Sequence, residues 1–168
     1  MKNFFRKVAF GLKPEEQTPS DPLTWAQKQV ETIPELNWKG KYIYSEKEMR
    51  KYWIQQRVTE ETTFRKKYKN DPDGLRRAEK QLENDTGARY WPTNEICMRH
   101  AEGIRSDNPV LAKLWYFWTN HFTISDTQRL PEFSTGAYHR EFIRANMDKT
   151  FETMVYEATV AWPMIMHL

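Results

Sequence analysis

Apolar positions recur at helical spacing along most of this chain, and the densest run lies between Asn108 and Phe122. Leu111, Leu114, Trp115, Trp118, His121 and Phe122 follow the i, i+3, i+4, i+7 pattern of one helical face. Tyr116 and Phe117 occupy part of the opposite side, so little of this helix is left for water and it should be central. Upstream, Pro92-Thr93 opens a helix whose apolar stripe is Ile96, Cys97, His100, Ala101 and Ile104, with Glu95, Arg99, Glu102 and Arg105 facing outward. The short turn Ser106-Asp107-Asn108-Pro109 then joins the two as an antiparallel hairpin.

Other helices are marked by their ends. Asp21-Pro22 pairs an N-cap with proline at the first helical position, ahead of Leu23, Ala26, Val30 and Ile33; Pro34 limits that helix. Residues 37–44 read as a connector, with Tyr42-Ile43-Tyr44 extended. Ser45 and Glu48 form a capping box for a helix reaching about Asn70, with Met49, Trp53, Phe64 and Tyr68 as its sparse apolar contacts. Asp71-Pro72-Asp73-Gly74 is a turn or a restart, and a polar helix over 75–87 stops at Gly87. A long irregular segment is expected from Thr123 to Gly136, a length that favours a functional loop. A last helix is predicted from about Ala137 to Trp162, striped by Phe142, Ile143, Met147, Phe151, Met154, Val155 and Ala158 and ended or kinked by Pro163. The expectation is an all-α chain of five to seven helices around a central hairpin. It forms one domain over 1–168, with an N-terminal segment 1–44, polar basic helices 45–90 and core helices 91–168.

Composition narrows the function classes. Only 39% of the 168 residues are hydrophobic and mean hydropathy is −0.88, so the core must rest on seven Trp, nine Phe and eight Tyr. The net charge of +3 is uneven: residues 39–90 hold 14 basic and 9 acidic side chains, residues 91–168 hold 7 and 9. That excess is too diffuse for the dense basic stripe of a nucleic-acid binder and suits a solvated face. A single cysteine, Cys97, excludes an internal disulfide framework. No apolar run approaches the roughly 20 residues of a membrane span. At the N-terminus Arg6 and Lys7 split the apolar stretch and Lys13-Pro14-Glu15-Glu16 stands where a cleavage site would be, so no signal peptide is expected and the compartment defaults to the cytoplasm.

No Walker loop, dinucleotide glycine pattern, nucleophile elbow, CxxC or HExxH occurs. Two candidate constellations remain. His100, His121 and His139 lie on the apolar stripes of different helices, and three converging imidazoles could bind zinc or iron; against that, none pairs with another at i, i+3 or i, i+4, and each could equally be a core histidine. Glu141 and Arg144, with Asp148, share one side of the last helix. If that side packs on the central helix, Glu141 would fix the tautomer of His121 and Arg144 would clamp an anion, giving a polar centre of His121, Glu141 and Arg144. The alternative is a surface ion-pair ladder. No organic cofactor is indicated.

The residues Phe117-Trp118-Thr119-Asn120-His121-Phe122, then Tyr138-His139-Arg140-Glu141-Phe142-Ile143-Arg144, then Ala161 to Leu168, resemble the bacterial family of domain of unknown function 1800. Val8 to Pro14 is similar to that family's opening segment, so the resemblance runs over nearly the whole chain, more loosely in the middle. It implies a helical fold and no defined reaction. It also implies an N-terminal part of a longer protein, since family members continue past an Asp-Asn pair that would follow Leu168, and the partner would be that C-terminal part or another protein. The leading reading is a truncated N-terminal helical part of an uncharacterised bacterial protein, with no activity of its own expected and with His121, Glu141 and Arg144 as its polar centre; the alternatives are a metal-dependent hydrolase or oxidoreductase when full length, and a non-catalytic helical interaction module.

Overall fold

The computed structural model describes residues 2–36, 38, 43–87, 90–125 and 129–168. Its described residues form ten α-helices and no strand: α1 (Lys2–Val8), α2 (Pro22–Lys28), α3 (Glu46–Thr59), α4 (Arg65–Lys67), α5 (Pro72–Thr86), α6 (Trp91–Arg105), α7 (Pro109–His121), α8 (Arg129–Tyr138), α9 (Phe151–Val160) and α10 (Trp162–His167). The all-α class is as expected, but the helices outnumber the five to seven predicted. The N-terminal half adds α1 and breaks the helix predicted from Ser45 to about Asn70 into α3 and α4 at a π-helical turn Glu60–Phe64, and two further changes lie in the C-terminal half. The helix predicted over 137–162 is broken into α8, a π-helical turn His139–Ile143, a short 3-10 turn Arg144–Asn146, α9 and α10. The segment predicted as irregular from Thr123 is helical again from Arg129, while residues 126–128 lie outside the described residues. Most of the expected connector at 37–44, including Tyr42, also lies outside them.

Side-chain caps hold these helices in place, and all but that of Thr150 were anticipated from the sequence. Asp21 Oδ1 accepts from the Leu23 and Thr24 amides at the start of α2. Glu48 Oε2 accepts from the Ser45 amide at 2.8 Å while Ser45 Oγ accepts from the Glu48 amide at 3.3 Å, a complete capping box on α3. Asp71 Oδ1 caps α5 through the Gly74 amide at 2.8 Å, and Gly87 ends it at φ 70°, a left-handed conformation that glycine adopts without steric cost. Thr150 Oγ1 accepts from the Thr153 amide and opens α9, so the break after the 3-10 turn is written into a cap.

The hairpin of α6 and α7 forms as expected, yet the element with the most neighbours is α8 with its π turn. It packs on α3, α6 and α10, and the π turn packs on α7 and α9. The main core joins Trp115, Ile124, Tyr138, Ile143, Ala158 and Ala161. A second cluster sets Met49, Trp91, Phe133 and Ala137 together, with the Tyr44 ring tilted and the Tyr52 ring edge-on against Trp91, and a third joins Ala9, Ala26 and Val110 at the N-terminal helices. No described helix is long and apolar enough to cross a membrane.

Two predicted faces are rotated. On α7 the buried positions are Pro109, Val110, Leu111, Ala112, Trp115 and Thr119, while Leu114 and Phe117 stay exposed. On α6 the expected stripe is the outer one: Ile96 is 48% and Ile104 77% exposed, whereas Glu95 is only 4% exposed. A helix can bury its charged side when the charges find partners there, and the π turn after α8 supplies them in His139 and Arg140. Gly136 on α8 makes room for this contact, because a Cβ there would collide with Glu95 Cβ, Cγ and Cδ. Glu95 is pinned by its ion pair and cannot swing away, so Gly136→Ala is expected to destabilise the fold by about 1–3 kcal/mol, the usual cost of overpacking. Urea unfolding measures it, and an unchanged midpoint would show that the Glu95 side chain is free to move.

Candidate functional site

The sequence-predicted polar centre does not assemble. His121 ends α7 exposed, its ring stacked on Phe117 with centroids 6.2 Å apart and edge-on to Trp118 and Phe122. No hydrogen bond or ion pair among the described residues joins it to Glu141 or Arg144. Each of those two is engaged elsewhere. Both carboxylate oxygens of Glu141 accept from the Glu46 amide at 3.2 Å, placing the charge at the N-terminus of α3. Burial raises the Glu141 carboxyl above its usual range, opposed by the Glu46 amide bond and by Arg140. Arg144 is buried, donates from Nη2 to the Pro34 carbonyl at 2.7 Å and lies over the Trp115 ring. Asp148 is exposed beside Lys149, so the expected ladder is absent as well.

Nor do the three histidines converge. His100 is exposed on α6, its Nδ1 within 2.8 Å of the Ile96 carbonyl, and its ring is edge-on to Tyr116. His139 is buried at the first position of the π turn. Among the described residues there is no group of three histidine, cysteine or carboxylate side chains able to hold a metal ion. Where the structure places them, His100, His121 and His139 do not form the zinc or iron site weighed for them against the core-histidine reading.

The structure gathers a different set around His139. The π turn puts an extra residue into the helix, and such turns recur at functional sites. Here it aims successive side chains in different directions. The His139 carbonyl receives the indole N–H of buried Trp115 at 2.8 Å. The next residue, Arg140, holds Glu95 through Nε and Nη2 at 2.8–3.2 Å and donates from Nη2 to the Tyr44 carbonyl at 2.6 Å. Arg140 and Glu95 side chains are 15% and 4% exposed, so this is a buried, hydrogen-bonded ion pair linking α6, α8 and the entry to α3. The His139 Nδ1 lies 2.8 Å from Arg99 Nη1. Burial, seconded by the Arg99 charge, pushes the imidazole down from 6.5 to about 3, so the ring is neutral at any physiological pH.

Between α6, α7 and α8 these residues enclose a cavity of about 250 Å³. Trp38, Ile96, Trp115 and Ile124 give it apolar walls, and Arg99, Asn120 and His139 add polar groups. Arg99 Nε and His139 Nε2 are buried and have no hydrogen-bond partner among the described residues, an uncommon condition for buried polar atoms. Glu95 also lines the cavity, but its carboxylate is saturated by Arg140 and is poorly placed to act as a free base. The groups left for chemistry are therefore donors, able to hold or polarise an acceptor.

His139 was within reach of the sequence as one of three candidate ligands, whereas Glu95, Arg99 and Arg140 were missed. A detectable signal existed: Glu95 and Arg99 sit at i, i+4 on one side of α6, and Gly136 stands in a helix that otherwise has no need of glycine.

Comparison with known proteins returns one match. The family model described as a protein of unknown function (DUF1800) matches residues 3–168. No curated protein and no solved structure matches the chain. The motif residues that carried the resemblance, Trp118 to Phe122 and Tyr138 to Arg144, supply the end of α7 and the π turn, so the matched sequence includes the walls of the cavity. The chain belongs to the DUF1800 family.

Proposed function

We propose that this helical chain is a ligand-binding domain, holding a small molecule in the cavity between α6, α7 and α8. The observation that carries this reading is the cavity itself, with aromatic walls from Trp38 and Trp115 and with Arg99, Asn120 and His139 among its lining residues. Ligand sites share that composition, apolar walls with a few fixed polar groups. The elements that build the cavity are cross-braced by the Glu95–Arg140 pair and the Trp115–His139 bond, so the cavity is formed before anything binds. The reading takes the place of the His121, Glu141 and Arg144 centre. Hydrolytic or redox chemistry in a longer protein would need groups beyond those gathered here.

Screening small polar molecules for a rise in thermal midpoint tests the reading. A ligand at about 100 times its Kd stabilises the folded state by about 2.7 kcal/mol. Asn120 is exposed at the cavity rim, so Asn120→Trp closes the opening without disturbing the core. Compounds that raise the midpoint are expected to lose that effect in Asn120→Trp. No stabilising compound, or equal stabilisation of both proteins, would overturn the reading.

A further inference from the structure

A second cavity lies at the turn end of the α6–α7 hairpin and shares no lining residue with the first. It measures about 490 Å³, against about 250 Å³ for the other. The segment after α1 forms one side of it, through Phe10 to Pro14. Both ends of that segment are tied to the hairpin. Lys113 Nζ donates to the Ala9 carbonyl at 2.8 Å, while Lys13 Nζ donates to the Arg105 carbonyl at 3.3 Å and to Asp107 Oδ1 at 2.6 Å. Between the two ties Gly11 stands at φ 110°, in the left-handed region that favours glycine. Backbone and ionic contacts thus anchor this wall, and its apolar side chains are left over.

Those side chains stay in water. Phe10 is 52% and Ile104 77% exposed, and both line the cavity. Tyr116 joins them, its ring edge-on to Phe10 with centroids 5.5 Å apart and edge-on to His100 at 5.9 Å. Gly103 leaves the α6 backbone bare beside two of these rings, where a Cβ would lie 3.2 Å from Tyr116 Cε2 and 3.5 Å from Phe10 Cε2. The polar groups of the lining are already engaged. Lys13 is neutralised by Asp107, His100 Nδ1 is bonded to the Ile96 carbonyl, and Ser106 Oγ accepts from the Asn108 amide at 3.0 Å. Tyr116 keeps its proton, because burial raises the phenol above its usual range. An ion entering here would give up water without meeting an unpaired lysine, whereas an apolar ring would cover apolar surface.

We infer that this second cavity binds an uncharged aromatic small molecule, seated against the Phe10 and Tyr116 rings and the Ile104 side chain. Sites for such molecules are concave and mostly apolar, with few polar groups. Aromatic walls favour a ring over an aliphatic chain, since ring pairs gain from edge-to-face and offset contacts beyond burial alone. The site stands apart from the cavity between α6, α7 and α8, so either one can fail without the other.

N-Phenylnaphthylamine is the probe, an uncharged aromatic amine whose fluorescence rises on leaving water, and anilinonaphthalene sulfonate is its charged counterpart. Each is titrated against the full chain. The uncharged probe is expected to bind saturably, and at least tenfold tighter than the sulfonate. Ile104→Glu puts a charge on the rim at an exposed position outside the core, and is expected to weaken the probe at least tenfold with the circular dichroism unchanged. Gly103→Leu fills the space beside Tyr116 and Phe10 and is expected to weaken it as much. Asn120→Trp, on the rim of the first cavity, is expected to leave the affinity as it is. Absence of saturable binding, or an affinity unchanged in Ile104→Glu, would overturn the inference. Loss of binding in Asn120→Trp would do so as well, because it would put the probe in the first cavity and leave the ligand-binding reading standing. Sulfonate bound as tightly as the uncharged probe would sink the choice of an uncharged ligand.

Discussion

Glu95→Ala is expected to destabilise the protein by about 3–5 kcal/mol, enough to consume much of the stability of a typical domain. Truncating Glu95 leaves the Arg140 guanidinium, 15% exposed, with the Tyr44 carbonyl at 2.6 Å and the more distant Glu141 carboxylate at 3.7 Å as its described partners. Taking a charge out of water costs several kcal/mol, and the lost carboxylate was what offset it. Removing both charges is a different matter. Glu95→Met with Arg140→Met exchanges a desolvated pair for apolar contacts of similar length, and replacement of buried pairs in this way is often neutral or better. Equilibrium urea unfolding of the two single variants and the double variant gives the coupling energy directly. A Glu95→Ala loss under about 1 kcal/mol would mean that the pair is in effect solvated and does not brace α6 against α8.

The same pair explains what the sequence could and could not disclose. Helix ends were legible because a cap is local: Asp21, Ser45 with Glu48, Asp71 and Gly87 act on amides and carbonyls within three or four residues of themselves. The α6–α7 hairpin was legible for the same reason, its turn being short. The inward face of α6 was not. Hydropathy alone puts Ile96 and Ile104 inside and Glu95 and Arg99 outside, and it is overruled only by partners 45 and 40 residues along the chain, Arg140 and His139. The π turn was equally hidden, since no residue type demands it. Its consequence was large: the extra residue re-aims His139, Arg140 and Glu141, so Glu141 caps α3 and Arg144 reaches Pro34 instead of the end of α7. A regular helix read through that point put Glu141 and Arg144 beside His121. The aromatic run on α7 did foretell burial correctly at Trp115, the residue whose indole ties the central helix to the π turn.

Acid should act on this protein through His139 before most carboxylates titrate. Its imidazole is held neutral down to about pH 3 in the folded state, by burial first and by the Arg99 charge second, while an exposed imidazole takes up a proton near 6.5. Between those values the unfolded chain binds one proton more than the folded chain. Stability present above pH 6.5 is therefore lost as pH falls, at about 1.4 kcal/mol per pH unit once the unfolded imidazole is fully charged. From pH 7 to pH 5 the loss amounts to about 2 kcal/mol from this one side chain. His139→Asn isolates it, because the amide oxygen can stand in for Nδ1 as the acceptor for Arg99 and nothing titrates. The variant is expected to be the less stable protein at pH 7, having lost ring packing beside Tyr138. The gap should then narrow by about 2 kcal/mol on acidification to pH 5, since only the wild type carries the linkage. Carboxylates shared by both proteins cancel in that difference. Parallel pH profiles would mean that His139 takes up a proton in the folded state, and that burial and the Arg99 charge do not hold its ring neutral.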